Sequence, residues 1–197
     1  MKNTFIVSCP IDTYSGYGAR ARDFVKSLIE LDKYDVKILS QRWGNTTRGF
    51  IERNKEKWGF LEEFIIPGLQ EKPDYWCQIT VPNEFQSIGK YNIGLTAGIE
   101  TTNCDIEWIK GCNRMDLILT SSEHSKLTFT NSQFQNKENK DDIIKLKKPI
   151  EVLFEGANLD IYKIIKKFNN KELYNQINLI GEDFAYLNVG HWMQGSF

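Results

Sequence analysis

Four short stretches of this chain carry the residue types best suited to chemistry. The first is Ser15-Gly16-Tyr17-Gly18, which follows an apolar run and opens a helical pattern. Two glycines there let backbone N–H groups approach a ligand closely, and a helix N-terminus adds free donors and partial positive charge. Phosphate is the usual guest of such a place. Arg20 and Arg22 stand within reach of one, although arginines on a helix surface are commonly just hydrated. The stretch lacks the Gly-Lys-Ser/Thr of a P-loop, and Ala21 holds the sixth position where a dinucleotide fingerprint has glycine. A tight turn between strand and helix accounts for the same residues.

The second stretch runs from Gly94 to Thr102 at the end of a strand pattern. Ligands of open α/β sheets bind at such carboxyl ends. Glu100 there suits a general base or a ligand contact, and equally a helix-start acid ahead of Asp105 and Glu107. The third, Thr120 to Lys126, offers the hydroxyls of Ser121 and Ser122, which can bond a ligand or cap a helix. His124 lies one turn into that helix. In the fourth, Leu153 to Asp160, a strand ends in a glycine turn with Glu155 and Gly156. No Ser/His/Asp arrangement of recognisable spacing is present. Trp43, Trp58, Trp76 and Trp108 are candidates for sugar stacking, although most tryptophans serve the core.

The elements that must position these residues alternate. Phe5-Ile6-Val7, ended by Pro10, is a buried-strand pattern. A helix follows, with an apolar stripe of Ala21, Phe24, Val25, Leu28, Ile29 and Leu31; Arg20, Arg22, Lys26 and Glu30 lie largely off it. Asp35 to Leu39 is a second strand, which completes a βαβ unit. The spacing predicts a helix within Ile51–Phe64, strands at Tyr75–Val81 and Tyr91–Ala97, a helix at Asp105–Cys112 and a strand at Leu117–Thr120. Ser122 is a suitable N-cap for a helix from Glu123 to about Phe129, and Ile150–Phe154 is a strand again. Asn131–Lys148, rich in Asn, Gln, Lys and Asp, reads as a surface insertion or long loop. Phe184 to Gly190 looks like a further strand. The expected class is α/β, a Rossmann-like, mostly parallel sheet flanked by helices.

Composition narrows the partners. The 197 residues carry a net charge of −1, so no global field draws in nucleic acid or anionic membrane. Four cysteines without a C-x-x-C and two histidines are poor material for zinc, and no metal is expected. Cys9 and Cys77 read as small core residues, and a reducing, cytoplasmic setting is expected. No signal peptide and no transmembrane segment are discernible.

Taken in order, the four stretches resemble the N-terminal domain of retaining GT-B glycosyltransferases of family four. That family opens with a strand, a loop like Ser15-Gly16-Tyr17-Gly18, and a helix with the arginine and apolar stripe seen from Arg20 to Leu31. It continues with a segment like Gly98-Ile99-Glu100 through Trp108, usually with a proline that is absent here. A strand and S-x-x-x-K helix start match Leu117 to Lys126. P-x-G-V-D and F-x-x-L-x-V-G are matched by Phe154-Glu155-Gly156-Ala157-Asn158 and by Phe184 to Gly190.

The resemblance implies transfer of a sugar, with retention, from a nucleotide-sugar to a glycan, protein or lipid acceptor, in a cleft between two Rossmann-like domains. It assigns the donor phosphates to Ser15, Gly16, Tyr17, Gly18 and Arg20, and makes Glu100 the catalytic candidate. Thr101, Ser121, Ser122, Lys126, Glu155 and Gly156 fall on the acceptor or cleft side. The nucleotide-sugar is a co-substrate, and no other cofactor is implied. Residues 1–180 would form the acceptor-side domain and residues 181–197 the start of a donor-binding domain whose remainder is missing, so the isolated chain is expected to be inactive. Two other readings stay open. One is a stand-alone Rossmann-like module that binds a nucleotide, sugar or protein without catalysis. The other is a flavodoxin-like or epimerase-like enzyme, opposed by the missing third glycine and by Ser40-Gln41-Arg42 where an acidic residue belongs.

Overall fold

The computed structural model describes residues 2–135, 143–159, 162–164, 169–184 and 186. The chain divides into two units, Met1–Glu155 and Gly156–Phe197. The boundary expected near residue 180 lies within the second. Beyond Phe184 and Tyr186, the strand expected up to Gly190 falls outside the described residues.

The first unit is an α/β sandwich. Its strands are β1 (Thr4–Cys9), β2 (Asp35–Ser40), β3 (Tyr75–Ile79), β4 (Tyr91–Leu95), β5 (Leu117–Thr120), β6 (Gln133–Gln135), β7 (Ile143–Lys145) and β8 (Ile150–Val152). Its helices are α1 (Gly16–Leu31), α2 (Phe50–Arg53), α3 (Lys55–Trp58), α4 (Ile106–Cys112) and α5 (Glu123–Asn131). Six strands form one sheet in the order β2-β1-β3-β4-β5-β8, and every pairing in it is parallel. The fold is Rossmann-like. The strand order reverses between β1 and β3, and ligands of such sheets bind outside the carboxyl ends near this reversal.

Alternation along the strands builds two apolar layers. Phe5, Val7 and Cys9 of β1, with Val36, Ile38, Cys77 and Ile79, face Ala21 and Val25 of α1. Ile6, Trp76 and Ile118 face the other way, onto Ile109 and Cys112 of α4 and Phe129 of α5. A parallel sheet covered on both faces explains why its strands read as unbroken apolar runs. The four cysteines are free and buried.

Side-chain caps fix where the helices start. Ser15 Oγ accepts from Gly18 N at 2.9 Å, Asp105 Oδ1 from Glu107 N at 2.7 Å, and Ser122 Oγ from Ser125 N at 3.2 Å. Asp32 ends α1 in the left-handed region at φ 52° and donates its N–H to Ile29 O.

Four expectations need correction. Ile51–Phe64 is not one helix but α2, α3 and a 3-10 helix over Gly59–Phe64. Residues 131–148 are not simply a loop: β6 and β7 pair antiparallel, and Phe134, Ile144 and Leu146 pack on the second layer. Leu31, counted in the α1 stripe, is half exposed. Arg22, placed off that stripe, is buried, because position 22 shares the inward face of α1 with Gly18 and Val25. Its Nη1 donates to Ile11 O and Thr13 O, both at 2.9 Å, and its guanidinium stacks 3.5 Å over the Phe50 ring.

The second unit contains α6 (Lys171–Ile177), capped by Asn170 Oδ1 accepting from Leu173 N at 3.0 Å. Leu179, Phe184 and Tyr186 are largely exposed. Among the described residues, no helix is long and apolar enough to cross a membrane.

Candidate functional site

The Ser15–Gly18 stretch is less a loop than the cap and first turn of α1. Its two glycines have different reasons to be glycine. A Cβ at Gly18 would lie 2.5 Å from Thr13 O and 2.7 Å from Thr13 Oγ1, so Gly18 lets the helix press against the loop that follows β1. A Cβ at Gly16 would meet nothing within 4 Å. Of the two, Gly16 has open space where a side chain would stand. Ser15 is engaged internally, since its Oγ also bonds Thr13 Oγ1 at 2.8 Å.

Gly16, Tyr17 and Arg20 of α1 line a cavity of about 170 Å³ together with Leu95, Ala97 and Glu155. It lies at the carboxyl edge of the sheet, where β4 ends and α1 begins. Arg20 reaches back across it: Nη2 donates to Leu153 O at 2.6 Å, Nη1 to Phe154 O at 3.4 Å, and Nε stands 3.4 Å from Glu155 Oε1. That last approach is an ion pair without hydrogen-bond alignment, and the buried Nε–H has no hydrogen-bond partner among the described residues. Tyr17 does not point a free hydroxyl at the cavity. Its OH lies 3.0 Å from Thr96 Oγ1 and accepts from Ala97 N at 3.2 Å, while its ring stacks on Trp43 with centroids 4.1 Å apart. Burial pushes the Tyr17 phenol above its ordinary value, the bonds from Thr96 and Ala97 pull it back, and the Glu155 and Glu100 carboxylates push it up again.

Ala97 also lines a second, shallower cavity of about 410 Å³, with Ile99, Glu100, Ser121, Ser122, His124 and Ser125. Gly98 permits this, at φ +89° and with a Cβ position only 2.1 Å from Ser125 Oγ; the chain after β4 can lie flat on the start of α5 only without a side chain there. The hydroxyls are largely structural. Ser122 caps α5, Ser121 Oγ donates to Ala97 O at 2.6 Å, and Ser125 Oγ accepts from Ile99 N at 3.3 Å. His124 Nε2 is 3.2 Å from Glu100 O.

The structure thus gathers Gly16, Tyr17, Arg20 and Glu155 in one cavity, and Glu100, Ser121 and Ser122 in its neighbour. Thr101 and Lys126 line neither: Thr101 Oγ1 donates to Asn103 O at 2.7 Å, and Lys126 pairs with Glu151 at 2.8 Å. Gly156 opens the second unit. Of the four tryptophans considered for stacking, Trp76 is buried in the core, Trp58 packs beside the first layer, and Trp108 stacks on Phe129 at 6.0 Å. Only Trp43, through Tyr17, adjoins the cavity. Sequence reasoning missed Leu95 and Ala97 as lining residues, because small or aliphatic residues carry no chemical signal. No group of three or more His, Cys, Asp or Glu among the described residues is placed to hold a metal ion.

The arrangement offers one guanidinium, the first turn of a sixteen-residue helix and an open Gly16 around a cavity of about 170 Å³. Glu155 lines the same cavity, and Glu100 and His124 line its neighbour. Comparison of the chain with models of known protein families, with curated proteins and with solved structures finds no match in any of the three.

Proposed function

We propose that this chain is the acceptor-side, Rossmann-like half of a GT-B glycosyltransferase, whose α1 cavity receives the phosphates of a nucleotide-sugar. The observation that carries the reading is the convergence of Gly16, Arg20 and the α1 N-terminus on one cavity at the carboxyl edge of a parallel sheet. That edge is where such sheets bind ligands, and a helix N-terminus beside an arginine favours a diphosphate over a neutral ligand. Glu100, on the adjoining cavity, is on the acceptor side, where a carboxylate can take the proton of an attacking hydroxyl.

Thermal-shift titration with UDP-glucose, GDP-mannose, UDP and GDP tests this. Gly16→Asp is the informative control, because a Cβ at Gly16 meets nothing and an aspartate suits the first turn of a helix. It adds negative charge to the cavity while leaving the fold intact. The reading expects saturable stabilisation of the wild type by one of the nucleotides, lost in Gly16→Asp. No stabilisation by any of the four would remove the donor-phosphate assignment.

A further inference from the structure

We infer that Glu155 is a built-in counter-anion for Arg20, displaced when a diphosphate enters the α1 cavity, so that ligand binding frees the Glu155 carboxylate from α1. The inference rests on the donor-phosphate reading of that cavity. Both partners line it, so the cavity carries its own anion. The pair is poorly made. Arg20 Nε is buried and has no hydrogen-bond partner among the described residues, although Glu155 Oε1 is only 3.4 Å away. A buried donor left unbonded is costly, and a phosphate oxygen aligned with it would remove that cost.

The two side chains differ in freedom. Arg20 is 16% exposed and anchored by two backbone carbonyls, whereas Glu155 is 46% exposed. The carboxylate is therefore the member that can leave for water. Leaving it in place would oppose a diphosphate, since both are anions in one small cavity. Glu155 is also the last residue of the first unit. Swinging the Glu155 carboxylate out requires no rearrangement of the sheet. The carbonyls of Leu153 and Phe154 hold the guanidinium in place as the carboxylate leaves.

The test is calorimetric titration of the full chain with UDP and with inorganic pyrophosphate, in wild type, Glu155→Gln and Arg20→Gln. Glu155→Gln keeps size and polarity and removes only the charge. It is expected to bind pyrophosphate about fivefold more tightly than wild type, as the loss of one competing surface ion pair implies. Arg20→Gln is expected to lose binding. Wild-type binding that is unchanged or weakened in Glu155→Gln would overturn the counter-anion while leaving the phosphate site standing. No binding of either probe to wild type or Glu155→Gln would overturn both.

Discussion

The hydroxyl of Tyr17 lies 3.0 Å from Thr96 Oγ1 and accepts a bond from Ala97 N, joining the first turn of α1 to the end of β4 across 79 residues of chain. It sets the wall between the two cavities, since Ala97 lines both. Tyr17→Phe removes these bonds and leaves the Ala97 N–H without its partner. A loss of about 1 kcal/mol in urea unfolding is expected. A larger part of the effect should appear as faster hydrogen exchange at residues 96–100 than elsewhere in the sheet.

The two glycines of the α1 first turn predict opposite responses to the same substitution. Gly18→Ala forces a methyl to within 2.5 Å of Thr13 O and should cost about 1–3 kcal/mol. Gly16→Ala meets nothing within 4 Å and should be neutral or stabilise by up to about 1 kcal/mol. Thermal melts of the two variants side by side check this. Equal destabilisation would contradict the placement of α1.

Arg22 is a buried cation whose partners are two carbonyls and an aromatic face rather than a carboxylate. It ties down the loop that carries Thr13 and, through Thr13, the Ser15 cap. Arg22→Ala should cost about 2–3 kcal/mol, the range of charge-assisted hydrogen bonds. Arg22→Lys should recover less than half of that, because an ammonium cannot both stack flat on Phe50 and reach Ile11 and Thr13. Lys26→Ala, on the same helix but exposed, should change stability by less than about 0.5 kcal/mol.

Buried thiols give the protein an alkaline limit. Burial pushes Cys9 and Cys112 from 9.0 up to about 12, and raises Cys77 as well. A folded-state value above the unfolded one means stability is intact below about pH 9 and is lost as pH rises from there towards about 12. Each thiol contributes roughly 1.4 kcal/mol of loss per pH unit in that window. Denaturant midpoints measured from pH 8 to 11 should fall accordingly, and Cys9→Ala should flatten the decline. The same burial predicts that the thiols react with Ellman's reagent only as fast as the protein opens.

Much of this was legible in the sequence because parallel strands buried on both faces must be apolar throughout. Phe5-Ile6-Val7 and Leu117–Thr120 announced their strands, and Asp105 and Ser122 their helix starts. What escaped has physical causes. Arg22 looked solvated because a charge on a helix is read as outward, and its aromatic partner Phe50 comes from α2, distant in sequence. The hairpin of β6 and β7 hid in polar composition, since only alternate residues such as Phe134 and Ile144 turn inward. The division of labour between Gly16 and Gly18 depends on Thr13, which no spacing rule would connect to Gly18.

The most direct test of the phosphate-binding cavity is amide NMR of the chain titrated with UDP. Shifts should concentrate on Gly16, Tyr17 and Ala97, saturate, and disappear in Gly16→Asp, whose own spectrum should remain that of a folded protein. Saturable shifts centred elsewhere in the fold, or none at all, would contradict the assignment of the α1 cavity to a nucleotide diphosphate.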